Sequence, residues 1–357
     1  MICNNKSPRR LIFLTSLLCS LLFFNFAPRP FRTLSFQSCP SQPSHSLNNI
    51  FAQSTFTCMQ MFSAYNQNRD TDIHKIADYP RGFELRRSAR HEFFLAVDKL
   101  DSGVLPRTFL KYGLFAPIET AVFDKILPFK SKKANCEPVV IDVGVNIGYL
   151  TFKAASLGYE VFGFEPQARL HDLLCLTKKV NSFRSEQIYL YPFGLSSKNT
   201  IYDQVNTESW GRAHIIDDSV NNNQKRIFRK TKKIEVHRLD EILSKEVHVQ
   251  LLKIDVEGHE LKVLEGATGI LQKGYIKNIV IELTDKYDNI LKVWNLLFND
   301  LGYNSTVYCW KEEYENITAI KLASAGDLNL SDYGSFCDTL KCVTDIRSTD
   351  CWFRYHG

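Results

Sequence analysis

The chain has 357 residues, 44% of them hydrophobic and 23% charged, and a net charge of +5. That balance is ordinary for a globular protein, and the length suffices for one large core or one domain with appendages. Much of the basic excess lies in Lys225-Arg-Ile-Phe-Arg-Lys-Thr-Lys-Lys233; without interleaved aromatics or a DNA-binding motif it reads as a solvated hairpin, with a patch for an acidic substrate as the rival, and nucleic acid is excluded as a partner.

Leu11 to Ala27 is an uncharged, largely apolar run, roughly 25 Å long as a helix, the short end of membrane-spanning length. Lys6, Arg9 and Arg10 precede it, which favours a cytosolic tail over residues 1–10. A cleaved signal peptide is the rival reading, disfavoured by Pro28 and Pro30 just after the run. The expectation is an uncleaved transmembrane signal anchor at 11–27, giving a type II protein of the secretory pathway, placed in the Golgi rather than fixed there against the endoplasmic reticulum. Residues 28–90 are rich in Ser, Pro, Asn and Gln with weak apolar periodicity, the composition of a stalk.

From about residue 91 the pattern alternates. Strands are predicted at 139–143, 160–164, 187–191, 249–254, 277–283 and 304–309, and helices at 149–157, 167–181, 260–273 and 286–301. Such alternation predicts an α/β fold: a Rossmann-like, doubly wound, mainly parallel sheet with helices on both faces. An insertion of extended segments fills about 194–236. Ligands of such sheets bind at the carboxyl ends of the strands, where Asp142, Glu165, Asp255 and Glu282 all fall.

The first of these strands, Val139-Val-Ile-Asp-Val143, runs into a turn bracketed by Gly144 and Gly148 with Asn146 between them. A turn of this kind brings bare backbone and helix N–H groups to a ligand. Glu165 ends the next strand, where a carboxylate can accept from both hydroxyls of a ribose. A dinucleotide fingerprint needs a glycine where Asn146 stands. The pattern therefore suits a cationic, phosphate-free nucleoside such as S-adenosylmethionine better than NAD, and a dehydrogenase is disfavoured. A bare strand–helix turn without any ligand is the plainer alternative.

Downstream, Lys253-Ile-Asp-Val-Glu-Gly-His-Glu260 ends another apolar strand in a cluster of carboxylates. Together with Ile141-Asp-Val-Gly-Val-Asn-Ile-Gly148, Phe164-Glu-Pro166 and Leu239-Asp240, and more loosely Pro117-Ile-Glu119, Tyr191 to Ser196 and Ile281-Glu282, these residues resemble the FkbM-domain family of S-adenosylmethionine-dependent methyltransferases over about 110–310. The resemblance implies that Asp142, Gly144, Asn146 and Gly148 hold the methionine end of the cofactor and Glu165 its ribose. Pro192 to Gly194 lie toward the adenine, Glu119 approaches the cofactor, and Asp255, Glu257 and Gly258 line the transfer site. The domain is drawn at 91–310.

A hydroxyl acceptor benefits from a general base. Asp255, Glu257, His259 and His214 are the candidates, although a structural role is at least as common for a single His, and Asp255 and Glu257 could instead cap the helix after them. Trp210 and Tyr149 are candidates to stack on a sugar, with burial in the core as the alternative. No metal ligands are assigned, although the Asp255/Glu257/Glu282 cluster has the chemistry of a hard-cation site.

Of ten cysteines, Cys309, Cys337, Cys342 and Cys351 crowd the C-terminus. They read as a disulfide-stapled extension over 311–357; a zinc site is disfavoured because no C-x-x-C pair occurs. Cys175, at helical spacing with leucines, reads as a buried core thiol. Asn304, Asn316 and Asn329 begin glycosylation sequons. The combined expectation is a membrane-anchored luminal O-methyltransferase acting on a glycan hydroxyl. A lipid or small-molecule hydroxyl is the alternative acceptor, and a non-catalytic binding module is the alternative class.

Overall fold

The computed structural model describes residues 83–129 except 90 and 92, 138–184, 186–205, 213–216, 231–243, 247–272, 274–284, 287–310, 334–336 and 349–355. The tail, the anchor run, most of the stalk, Trp210, Asn316, Asn329, Cys337, Cys342 and residues 217–230, with most of the basic run, lie outside them. Among the described residues no helix is long and apolar enough to cross a membrane.

The strands in chain order are β1 (Phe83–Arg87), β2 (Phe94–Asp98), β3 (Val139–Val143), β4 (Val161–Phe164), β5 (Ile188–Tyr191), β6 (Gly194–Leu195), β7 (Thr200–Val205), β8 (His214–Ile216), β9 (Thr231–His237), β10 (Val249–Ile254), β11 (Asn278–Leu283), β12 (Thr306–Trp310), β13 (Gly334–Phe336) and β14 (Thr349–Arg354). The main sheet runs β13-β12-β14-β11-β10-β3-β4-β5. Its heart is parallel: β11 with β10, β10 with β3, β3 with β4, and β4 with β5. Helices Tyr149–Ser156 and Ala168–Val180 make the crossovers from β3 to β4 and from β4 to β5.

Every residue of β3 is buried, as expected of a strand covered on both faces. Alternation divides the strand side chains between two cores. Ile141, Leu252, Ile254, Ile279 and Ile281 join helix residues Val263, Leu264 and Ile270 in one. Val140, Leu251 and Val280 join Leu150, Phe152, Val122 and Phe123 in the other. The insertion folds as a second sheet, β6-β9-β7-β8, in which β6 and β9 are parallel and the other pairs antiparallel.

Four expectations need correction. β14 pairs antiparallel with both β11 and β12, so residues 349–354 belong to the main sheet and the boundary after 310 does not hold for them. Long-range pairing of this kind leaves no local pattern to read. β1 falls inside the range drawn as stalk; it pairs with β2, and Phe83 packs against Ala96, Leu173 and Leu176. Cys175 is fully buried as expected, but it is disulfide-bonded rather than a free thiol. The last predicted helix is α-helical only over Tyr287–Trp294 and continues as a π-helix over Asn295–Asp300.

Candidate active site

A cleft of about 560 Å³, partly open to solvent, lies at the carboxyl ends of β3, β4 and β10 and is walled on another side by the inserted sheet. Gly144, Asn146, Glu165, Gly194, Asp255 and Glu257 all line it.

The turn after β3 depends on its first glycine. Gly144 has φ +83°, and a Cβ there would lie 1.9 Å from the carbonyl oxygen of Asp255. The ends of β3 and β10 can approach this closely only without a side chain. Gly148, at φ +88°, begins helix Tyr149–Ser156; a Cβ there would meet Leu174 at 2.5 Å, so its role is packing behind the cleft.

Asn146 also adopts positive φ, 54°. That conformation aims its backbone N–H at Glu165 Oε2, 3.0 Å away, while the Gln167 N–H donates to Oε1 at 3.0 Å. Each carboxylate oxygen thus has one backbone donor, and the Gln167 side chain is a further donor to the group. Burial pushes the Glu165 carboxyl up to about 7, against the opposing pull of those two N–H groups. The side-chain oxygen of Asn146 is buried and has no hydrogen-bond partner among the described residues.

Asp142 lies beneath the cleft rather than in it. Its Oδ2 accepts from Thr151 Oγ1 at 2.7 Å, and its Oδ1 is 3.9 Å from Lys253 Nζ. Burial raises its pKa; Lys253 and Thr151 pull the other way. Lys253 also donates to Asp255 Oδ2 at 3.1 Å and to the Gly144 carbonyl at 3.0 Å. Burial alone would lower the Lys253 pKa, but Asp255, Asp142 and Glu119 more than offset this and hold the ammonium charged. Buried Glu119, from helix Pro117–Ile126, therefore acts at a step removed, through Lys253.

The segment after β10 is a tight turn. Glu260 Oε1 accepts from the N–H groups of Val256 and Gly258 at 3.2 and 3.0 Å. Burial raises Glu260 to about 7 despite them. Glu257 is held at φ 55°. Carboxylate oxygens of Asp255, Glu257 and Glu282 lie within 4.8 Å of one another, a spacing one hard cation could share. Glu282 and Asp350 are both raised, first by burial and then by neighbouring carboxylates, Asp255 foremost. Asp350 enters this cluster because β14 sits beside β11.

The two histidines do not reach the cleft. His259 is 5% exposed, pairs with Ser196 Oγ at 2.9 Å and meets the Tyr202 ring edge-on. Ala213 and Ile215 line the cleft, so strand alternation turns His214 to the opposite face of β8. Pro192 is exposed and does not line the cleft. Tyr149 is core, stacked on Phe115.

Three residues without an assigned role prove important in the geometry. Lys253 lies two positions before Asp255, and alternation along β10 would have placed both on one face. Gln204 of β7 lines the cleft from the inserted sheet. Asp350 left no sequence signal, because its strand was read as an appendage.

Residues 142–305 match the family model described as the methyltransferase FkbM domain. The crystal structure of methyltransferase FkbM from Methylobacillus flagellatus KT is similar to the chain at 15% identity and a TM-score of 0.37, over 71% of this chain and 56% of that one. The chain thus spans little more than half the length of that structure. No curated protein matches it.

Proposed function

Because residues 142–305 belong to the FkbM methyltransferase domain family, we propose that the chain is an S-adenosylmethionine-dependent O-methyltransferase on a Rossmann-like fold, anchored in the secretory pathway and acting on a glycan hydroxyl. One observation carries the cofactor reading. Glu165 lines the cleft with its carboxylate fixed by the backbone N–H groups of Asn146 and Gln167, and a carboxylate has capacity to accept further donors such as a ribose hydroxyl.

The rest of the cleft fits the same ligand. Glu165, Asp255 and Glu257 give it acidic walls suited to a molecule with an ammonium and a sulfonium. The unpartnered Asn146 oxygen is an acceptor for the ammonium. When bound, S-adenosylmethionine supplies a methyl group activated on sulfur. Catalysis of its transfer leans on positioning the acceptor oxygen. Asp255 is the group best placed for this. Lys253 fixes its Oδ2 and Glu282 hydrogen-bonds to the same carboxylate, which holds Asp255 in place to orient the acceptor hydroxyl and receive its proton. Glu257 faces the same space and adds negative potential. His259 and His214 have no part in the transfer.

The luminal placement is supported by disulfide bonding of Cys175 and of Cys309 with Cys351, which suits an oxidising compartment. It is supported further by the exposed sequon residue Asn304, and by the apolar run at 11–27. Sugar hydroxyls are the abundant acceptors of such compartments.

Calorimetric titration of the detergent-solubilised full chain with S-adenosylmethionine and with NAD tests the reading. The expected result is micromolar binding of the first alone, lost in Glu165→Ala. A folded chain that binds neither would return the weight to a binding module. Labelled-methyl assays on glycan, lipid and small-molecule acceptors then separate the substrate classes.

A further inference from the structure

The inserted sheet contributes Gly194, Leu195, Gln204, Ala213 and Ile215 to the cleft. Four of these are apolar or lack a side chain. The exception is Gln204, on β7 two residues beyond Tyr202 and on the same strand face. Gln204 is 4% exposed and its side chain lines the cleft.

We propose that Gln204 recognises the heterocycle of the bound nucleoside by accepting from an exocyclic amine and donating to the adjacent ring nitrogen. This rests on the methyltransferase reading above. The acidic and backbone groups at Gly144, Asn146 and Asp255 serve the charged end of such a ligand. Glu165 serves its hydroxyls. What remains for a flat, neutral base is the wall with Leu195, Ala213 and Ile215, and the side-chain amide there offers one donor and one acceptor side by side. Adenine has the complementary pair on one edge, and a glutamine amide can engage both at once. The assignment moves base recognition from Pro192, which is exposed, to the insertion.

The test is a cycle between side chain and ligand. Affinities of S-adenosylhomocysteine and of its analogue lacking the 6-amino group are measured by calorimetry on the full chain and on Gln204→Leu. Wild type should bind the amine-free analogue about tenfold more weakly, the scale of one well-made hydrogen bond. Gln204→Leu should bind S-adenosylhomocysteine at least tenfold more weakly than wild type and no longer distinguish the two ligands. Equal affinities of wild type for the two ligands would overturn the proposal without any variant having to fold. Discrimination that persists in Gln204→Leu would overturn it too, while leaving the methyltransferase reading intact. A wild-type chain that binds neither ligand would overturn both.

Discussion

Lys253 Nζ lies 3.1 Å from Oδ2 of Asp255, two residues further along β10. The same ammonium reaches the Gly144 carbonyl and stands 3.9 Å from Asp142. One buried cation therefore holds together the ends of β3 and β10, where the cleft opens. Removing one member of a buried ion pair strands the remaining charges, typically at a cost of about 3–5 kcal/mol. Lys253→Met should lose about that much in urea unfolding. A loss below about 1 kcal/mol would show that Asp142 and Asp255 do not depend on it.

Glu165 carries an opposed pair of pH effects. Its carboxyl is raised by burial from 4.5 to about 7, as is that of Glu260. The native state therefore holds more protons than the unfolded chain between those values. The stability each group contributes is complete below about 4.5 and lost as pH rises through about 7. The melting temperature should fall between pH 5 and 7.5, and Glu165→Gln should flatten part of that slope. Cofactor binding should go the other way. Ribose hydroxyls donate to the ionised carboxylate, so affinity for S-adenosylhomocysteine should rise from pH 6 to pH 8, with proton release on binding at the lower pH. In Glu165→Gln binding should be weak and should not vary over that range.

How much of this was legible follows from what each feature depends on. β3 and β10 begin and end where the mainly apolar runs do, the composition expected of strands buried on both faces. Gly144, Glu165 and Asp255 were legible for a related reason: each sits where a strand stops. β14 was not. Asp350-Cys-Trp-Phe353 lies in a segment that reads as a cysteine-rich tail, and only its pairing with β11 and β12 makes it a central strand. Gln204 escaped notice because an uncharged amide in a strand has no motif; its burial and its direction are tertiary facts. His259 misled for the converse reason. It stands between Glu257 and Glu260 in sequence, yet the turn after β10 sends its ring away from both Asp255 and the cleft.

That geometry separates two substitutions otherwise expected to act alike. His259→Ala removes the partner of the buried Ser196 hydroxyl and should cost about 1–2 kcal/mol of stability, with methyl-transfer rate and its pH profile unchanged. Asp255→Asn keeps the shape but discards the proton acceptor, and should lower kcat by about 10²-fold or more. Comparable losses of kcat in both variants would put His259 back among the catalytic groups.

Cys309 and Cys351 face each other across β12 and β14 and are disulfide-bonded at a sequence separation of 42. Closing a loop of that length removes unfolded-state entropy worth about 4 kcal/mol. Because Asp350 precedes Cys351 and Glu282 is its partner across β11, the same bond also braces one side of the carboxylate cluster. The double variant Cys309→Ala/Cys351→Ala should lose about 4 kcal/mol in denaturant unfolding. Reduction of wild type should cost more than this, since the bond at Cys175 is broken as well. The sensitivity to reductant that remains in the double variant then measures the other disulfides. A double variant as stable as wild type would show that pairing of β14 with β11 suffices to hold the strand in the sheet.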